Sequence, residues 1–76
     1  MKDYQVRMLD EYWQTKRRYN KLHRLLVRHD AGTLDFELDC PVSLLRDQAS
    51  TMGHYLNILE IRAEIEGIDL YPEHDE

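Results

Sequence analysis

Seventy-six residues, 33% charged and 42% apolar with three glycines and two prolines, leave room for one small domain. They argue against a disordered chain, a loop-rich scaffold or a β-sandwich. The net charge of −5 is unevenly spread: residues 1–30 hold eight Lys and Arg against four Asp and Glu, residues 31–76 two against eleven. The simplest reading of that split is a basic helix lying against an acidic one. No apolar run approaches the ~18 residues of a membrane span, and the opening MKDYQVRMLDEY is too charged for a signal peptide. A cytoplasmic chain with no membrane partner is expected. Cys40 is alone, which excludes an internal disulfide and a cysteine-based zinc site.

Residues 2–30 carry no Gly or Pro and predict one long helix, about 42 Å at ~1.5 Å per residue, with Asp3 placed to cap its free N–H groups. Met1, Gln5, Met8, Tyr12, Thr15, Tyr19, Leu22, Leu26 and His29 step by four and three, a heptad seam over four repeats. Arg17, Lys21, Arg24 and Arg28 recur at i, i+4, i+7 and i+11 and form a cationic stripe on another face. Asp30-Ala31-Gly32 ends the helix, with Gly32 as the left-handed terminator.

Leu34, Phe36 and Leu38 alternate with polar residues in 33–40, too short a stretch for an independent sheet. They read as a loop whose apolar side chains cap the end of a hairpin. A second helix, about 41–66, is expected to start at Pro41, with Asp39 or Cys40 as its N-cap and proline in the first helical position. Leu45, Ala49, Met52, Leu56, Leu59 and Ala63 form its seam, and Gly67 closes it. Pairing the two seams predicts an antiparallel hairpin in which partners sum to about 71: Leu26 with Leu45, Leu22 with Ala49, Tyr19 with Met52, Thr15 with Leu56, Tyr12 with Leu59, Met8 with Ala63. The domain expected is 1–68, followed by an acidic flexible tail at 69–76.

Two helices bury only one face each and are marginal at this size. Leu9, Trp13, Leu25, Val27, Tyr55, Ile58, Ile61 and Ile65 are left over by the seam and would form a large exposed apolar patch. Self-association resolves this. The expected fold class is therefore all-α, a two-helix hairpin assembling into a homo-oligomeric bundle.

The cationic stripe is the candidate ligand site: Arg17, Lys21, Arg24 and Arg28 offer donors suited to phosphates. Tyr12, Tyr19, His54 and Tyr55 can supply faces for a base or ribose, although Tyr12 and Tyr19 also hold seam positions. A nucleotide fits such a site. The competing reading pairs the stripe with Glu60, Glu64 and Glu66 of the same or a neighbouring hairpin as a solvated ionic face. Gly53, mid-helix at a cost of ~1 kcal/mol relative to alanine, makes a small-xxx-small step with Ala49 where another helix, a ring or a ligand could approach. The four histidines, 23, 29, 54 and 74, show no metal-binding spacing. No phosphate-cradling Gly loop, nucleophile triad or diiron pattern is found. No metal, cofactor or enzymatic activity is expected.

The run AGTLDFELDCPVSLLRDQASTMGHYLNILEIRAEIEGIDL resembles a family of very small accessory proteins of tailed bacteriophages and prophages of Gram-positive hosts. The matching elements are Ala31-Gly32-Thr33-Leu34-Asp35-Phe36, Cys40-Pro41, Leu44-Leu45, Gln48, Met52, Tyr55-Leu56, Ile58-Leu59-Glu60 and Arg62 to Gly67. The likeness extends to the opening KDYQVRM. The resemblance implies a protein made during infection in the host cytoplasm, of a kind that includes inhibitors of host defence. Some of these are oligomeric sponges for cyclic or ADP-ribose-type nucleotide signals, and others block a defence enzyme by contact. No residue of a known sponge site transfers by motif. Sequestration of a nucleotide signal in a cleft between hairpins is the expected function. The alternatives are an acidic nucleic-acid mimic carried by Glu60, Glu64, Glu66, Asp69, Glu73, Asp75 and Glu76 against a host defence protein or a polymerase, and a structural or regulatory coiled coil. Direct nucleic-acid binding is disfavoured by the −9 charge of residues 31–76.

Overall fold

The computed structural model describes residues 2–71. Met1, which heads the seam, and residues 72–76 of the expected tail lie outside the described residues. Two helices, α1 (Asp3–Ala31) and α2 (Val42–Glu66), pack along their length as an antiparallel hairpin. The chain extends 44 × 25 × 17 Å.

The helix ends follow local chemistry with two departures from expectation. The N-cap of α1 is Lys2, whose backbone N–H donates to Oε1 of Gln5 at 3.0 Å; Asp3 is the first helical residue. Pro41 is itself the N-cap of α2, in extended backbone with ψ 139. Its fixed φ suits either side of the boundary, and Asp39 and Cys40 therefore precede the cap. Both C-termini close on glycine in the left-handed region, Gly32 at φ 77 and Gly67 at φ 71. There the Gly32 and Thr33 N–H groups return to the His29 and Arg28 carbonyls.

The core is the seam. Met8, Tyr12, Leu56, Leu59 and Ala63 are buried together, and Thr15 and Leu26 are buried on the same face of α1. The register is the expected one: Gln5 reaches Glu66, Tyr12 reaches Glu60, and the Tyr19 ring lies over Gly53. From Gly67 to Tyr71 the chain stays on the hairpin. Ile68 and Leu70 are buried in the same core, with Leu9 and Trp13 packed against it. Trp13 donates its indole N–H to the Leu70 carbonyl at 2.8 Å and meets the Tyr12 and Tyr71 rings edge-on at 5.2 Å. The short segment after Gly67 thus covers the side of α1 that the two seams leave open, and positions 69–71 of the expected tail are held against the hairpin.

Candidate functional site

Lys21, Arg24, Leu25 and Arg28 fall at i, i+3, i+4 and i+7, so the last turns of α1 present them on one face. Gly32 then turns the chain back. Leu34 and Phe36, two apart in a non-helical segment, lie against that face. Together these six residues line a cleft of about 200 Å³. A larger cleft of about 460 Å³ lies beside it, lined by His29, Leu34, Phe36, Glu37, Leu38 and Cys40 among others. Leu34 and Phe36 belong to both clefts. Phe36 is 55% exposed, so much of its ring is open to solvent beside the cations.

The frame of these clefts is fixed at both ends. The Thr33 N–H donates to the Arg28 carbonyl at 2.9 Å, and the Arg46 guanidinium grips both carboxylate oxygens of Asp30. That grip holds the Asp30 carboxyl below its ordinary pKa and raises that of Arg46. It ties the first turns of α2 to the last residues of α1, with the connector between them.

The cleft of about 200 Å³ concentrates positive charge. Among the described residues no ion pair engages Lys21, Arg24 or Arg28. Two of the three acidic partners of the competing ionic-face reading, Glu60 and Glu66, are occupied elsewhere. Glu60 accepts from Tyr12 at 2.7 Å, and Glu66 accepts from Tyr4 at 2.8 Å and Gln5 at 3.2 Å, with Arg62 at 3.7 Å. The hydrogen bonds from Tyr4 and Gln5 lower the Glu66 pKa.

The remaining expected site residues are dispersed. Arg17 is exposed one turn before Lys21 and does not line the cleft. Tyr12 is fully buried, its hydroxyl between Glu60 and Tyr71. Burial first, then those two hydrogen bonds, push its phenol well above the ordinary tyrosine range. Its ring is a core element and offers no face to a ligand. Tyr19 packs on Gly53 and stacks on His23 at 6.0 Å, with Lys16 Nζ 5.9 Å from its ring centre. His54 is exposed on α2, and the Tyr55 hydroxyl donates to Glu11 at 3.1 Å. None of these four aromatic residues lines the cationic cleft. The ring beside the cations is Phe36, which sequence reasoning assigned to capping the hairpin. The signal lay in Gly32: a chain reversed four residues after Arg28 must run back past Arg28 and Arg24.

This arrangement suits an anion joined to a flat apolar group. Among the described residues no group of three His, Cys, Asp or Glu is placed to hold a metal ion, and no helix is long and apolar enough to cross a membrane. A family model described as Sequestin matches residues 2–65, which takes in both helices up to the last turn of α2 and the connector between them. No curated protein and no solved structure matches the chain.

Proposed function

The chain belongs to the Sequestin family, whose name denotes sequestration, and on that premise we propose that it is a phage-encoded anti-defence protein that binds a host immune nucleotide signal and withholds it without catalysis. The ligand class is a cyclic nucleotide or an ADP-ribose derivative, held in the cytoplasm of a Gram-positive host by hairpins that associate with copies of themselves. Arg24 and Arg28 supply forked donors and Lys21 a point charge to the phosphates. One observation carries this reading: three cations that pair with no carboxylate among the described residues converge on a cleft whose other wall is an exposed phenylalanine. A structural ion-pair face would spend those charges on carboxylates. The nucleic-acid-mimic reading is weaker, because two of its carboxylates, Glu60 and Glu66, are engaged by Tyr12 and Tyr4 of the same hairpin.

Calorimetric titration with cyclic dinucleotides, cyclic mononucleotides and ADP-ribose derivatives tests the proposal. One of them should bind. Arg24→Ala should weaken that binding about 10- to 100-fold, the range carried by one charge-assisted contact. Arg24→Glu should abolish it while the helical circular dichroism is kept. A flat response across the panel would overturn the reading.

A further inference from the structure

Phe36 stands as a wall between two clefts of opposite character, and the larger one lacks the cations of the smaller. Resting on the nucleotide reading above, we infer that Phe36 is the stacking platform of the site, with the phosphates on its Lys21, Arg24 and Arg28 side and the base lying in the cleft bounded by His29, Leu38 and Cys40.

Size and chemistry support this division. A volume of about 460 Å³ falls within the ~300–1,000 Å³ usual for small-molecule sites, whereas about 200 Å³ suits a phosphate group and not a whole nucleotide. Leu34, Phe36, Leu38 and Val42 give the larger cleft an apolar lining, which a purine or pyrimidine face fills without losing polar contacts. His29 and Glu37 line the same cleft and supply polar groups able to meet a base edge. Every base has a π-face, so stacking on Phe36 accepts the ligand class before the edge contacts select within it. The folded chain leaves this ring 55% exposed although it lies against apolar neighbours. The ligand is therefore a nucleotide whose base and phosphates reach the two clefts that share Phe36. Inorganic phosphate, a sugar phosphate or a duplex backbone would leave the larger cleft empty.

The test compares ADP-ribose, AMP, ribose 5-phosphate and pyrophosphate on wild type, Phe36→Ala, Phe36→Tyr and Arg24→Glu by calorimetry. Circular dichroism checks each fold, and Phe36 is exposed enough for its truncation to leave the helices intact. Phe36→Ala should lose about 10- to 100-fold in affinity for the base-containing ligands. Its binding of ribose 5-phosphate and pyrophosphate should match wild type, and Phe36→Tyr should bind all four like wild type. If Phe36→Ala binds AMP and ADP-ribose as wild type does, the stacking role falls while the cationic site stands. If it loses pyrophosphate equally, Phe36 acts by shaping the connector, and the role falls again. If wild type binds none of the four, this inference falls whatever the wider panel shows; the nucleotide reading itself falls only if that panel is silent too.

Discussion

The Tyr12 hydroxyl donates a 2.7 Å hydrogen bond to Glu60 from a ring with no exposed surface. This joins the centre of α1 to α2 by a polar contact at the heart of the seam. The same hydroxyl lies 3.2 Å from that of Tyr71, so the pair also anchors the segment that follows Gly67. A phenol so placed cannot lose its proton without leaving a buried anion against a carboxylate.

Tyr12 therefore predicts an alkaline limit to stability. Its folded pKa is raised, so its contribution is complete below the ordinary tyrosine value of about 10 and is lost as pH rises above it. Urea denaturation followed by circular dichroism should show wild type losing stability above pH ~10. Tyr12→Phe should be about 1.5–3 kcal/mol less stable at pH 7, having lost a hydrogen bond to a charged acceptor, with a shallower decline at high pH. Parallel pH profiles would show that the Tyr12 proton is not what sets the limit.

The acid side depends on Asp30 and Glu66. Both carboxyls are lowered, Asp30 by Arg46 and Glu66 by Tyr4 and Gln5. A depressed folded pKa contributes stability above the unfolded value of about 4 and surrenders it as pH falls below. Wild-type melting temperature should drop as pH is lowered from about 5 to about 3. Asp30→Asn combined with Glu66→Gln should flatten that limb while losing some stability at pH 7. An undiminished acid slope in the double variant would place the acid sensitivity in other carboxylates.

Gly53 offers a test of packing. A Cβ built there would meet the Tyr19 ring at 3.5 Å, ordinary van der Waals contact. Gly53→Ala should therefore gain up to ~1 kcal/mol of helix propensity, a rise of about 4–8 °C in Tm for a domain this small. Gly53→Leu should lower Tm, because its branch would enter the Tyr19 ring. A destabilised alanine variant would mean that the two helices approach here more closely than the ring contact indicates.

How far the residues announce this architecture depends on periodicity. The seams repeat over many turns, and any register but one would expose them. The observed pairings Gln5–Glu66, Tyr12–Glu60 and Tyr19–Gly53 therefore fall within one of the expected sum of 71. The cover supplied by Ile68 and Leu70 has no period to reveal it. It follows from Trp13 needing both an apolar neighbour and an acceptor for its indole N–H, and Leu70 provides both. The cationic stripe was legible as spacing, but its aromatic partner was not. Helical arithmetic pointed to tyrosines on the same rods, whereas the connector after Gly32 carries Phe36 back beside Lys21, Arg24 and Arg28.

Part of the apolar surface left over by the seams is accounted for within the hairpin: Leu9 and Trp13 pack on its core, and Leu25 lines the connector cleft. Tyr55, Ile58, Ile61 and Ile65 remain on α2, with Ile61 51% and Ile65 79% exposed. If hairpins associate, this stripe is where they do so, and light scattering on the eluting protein should give a mass above the 9.2 kDa of one chain. Ile61→Asp with Ile65→Asp should return the mass to that of a single chain with helicity retained, since neither side chain belongs to the core. The connector clefts lie near the start of α2, roughly 28 Å along the helix from Ile61 at ~1.5 Å per residue, and their lining comes from one chain. The dissociated variant should therefore still bind the nucleotide. Loss of binding on dissociation would mean that a second hairpin completes the site, and a wild-type mass of 9.2 kDa would remove self-association altogether.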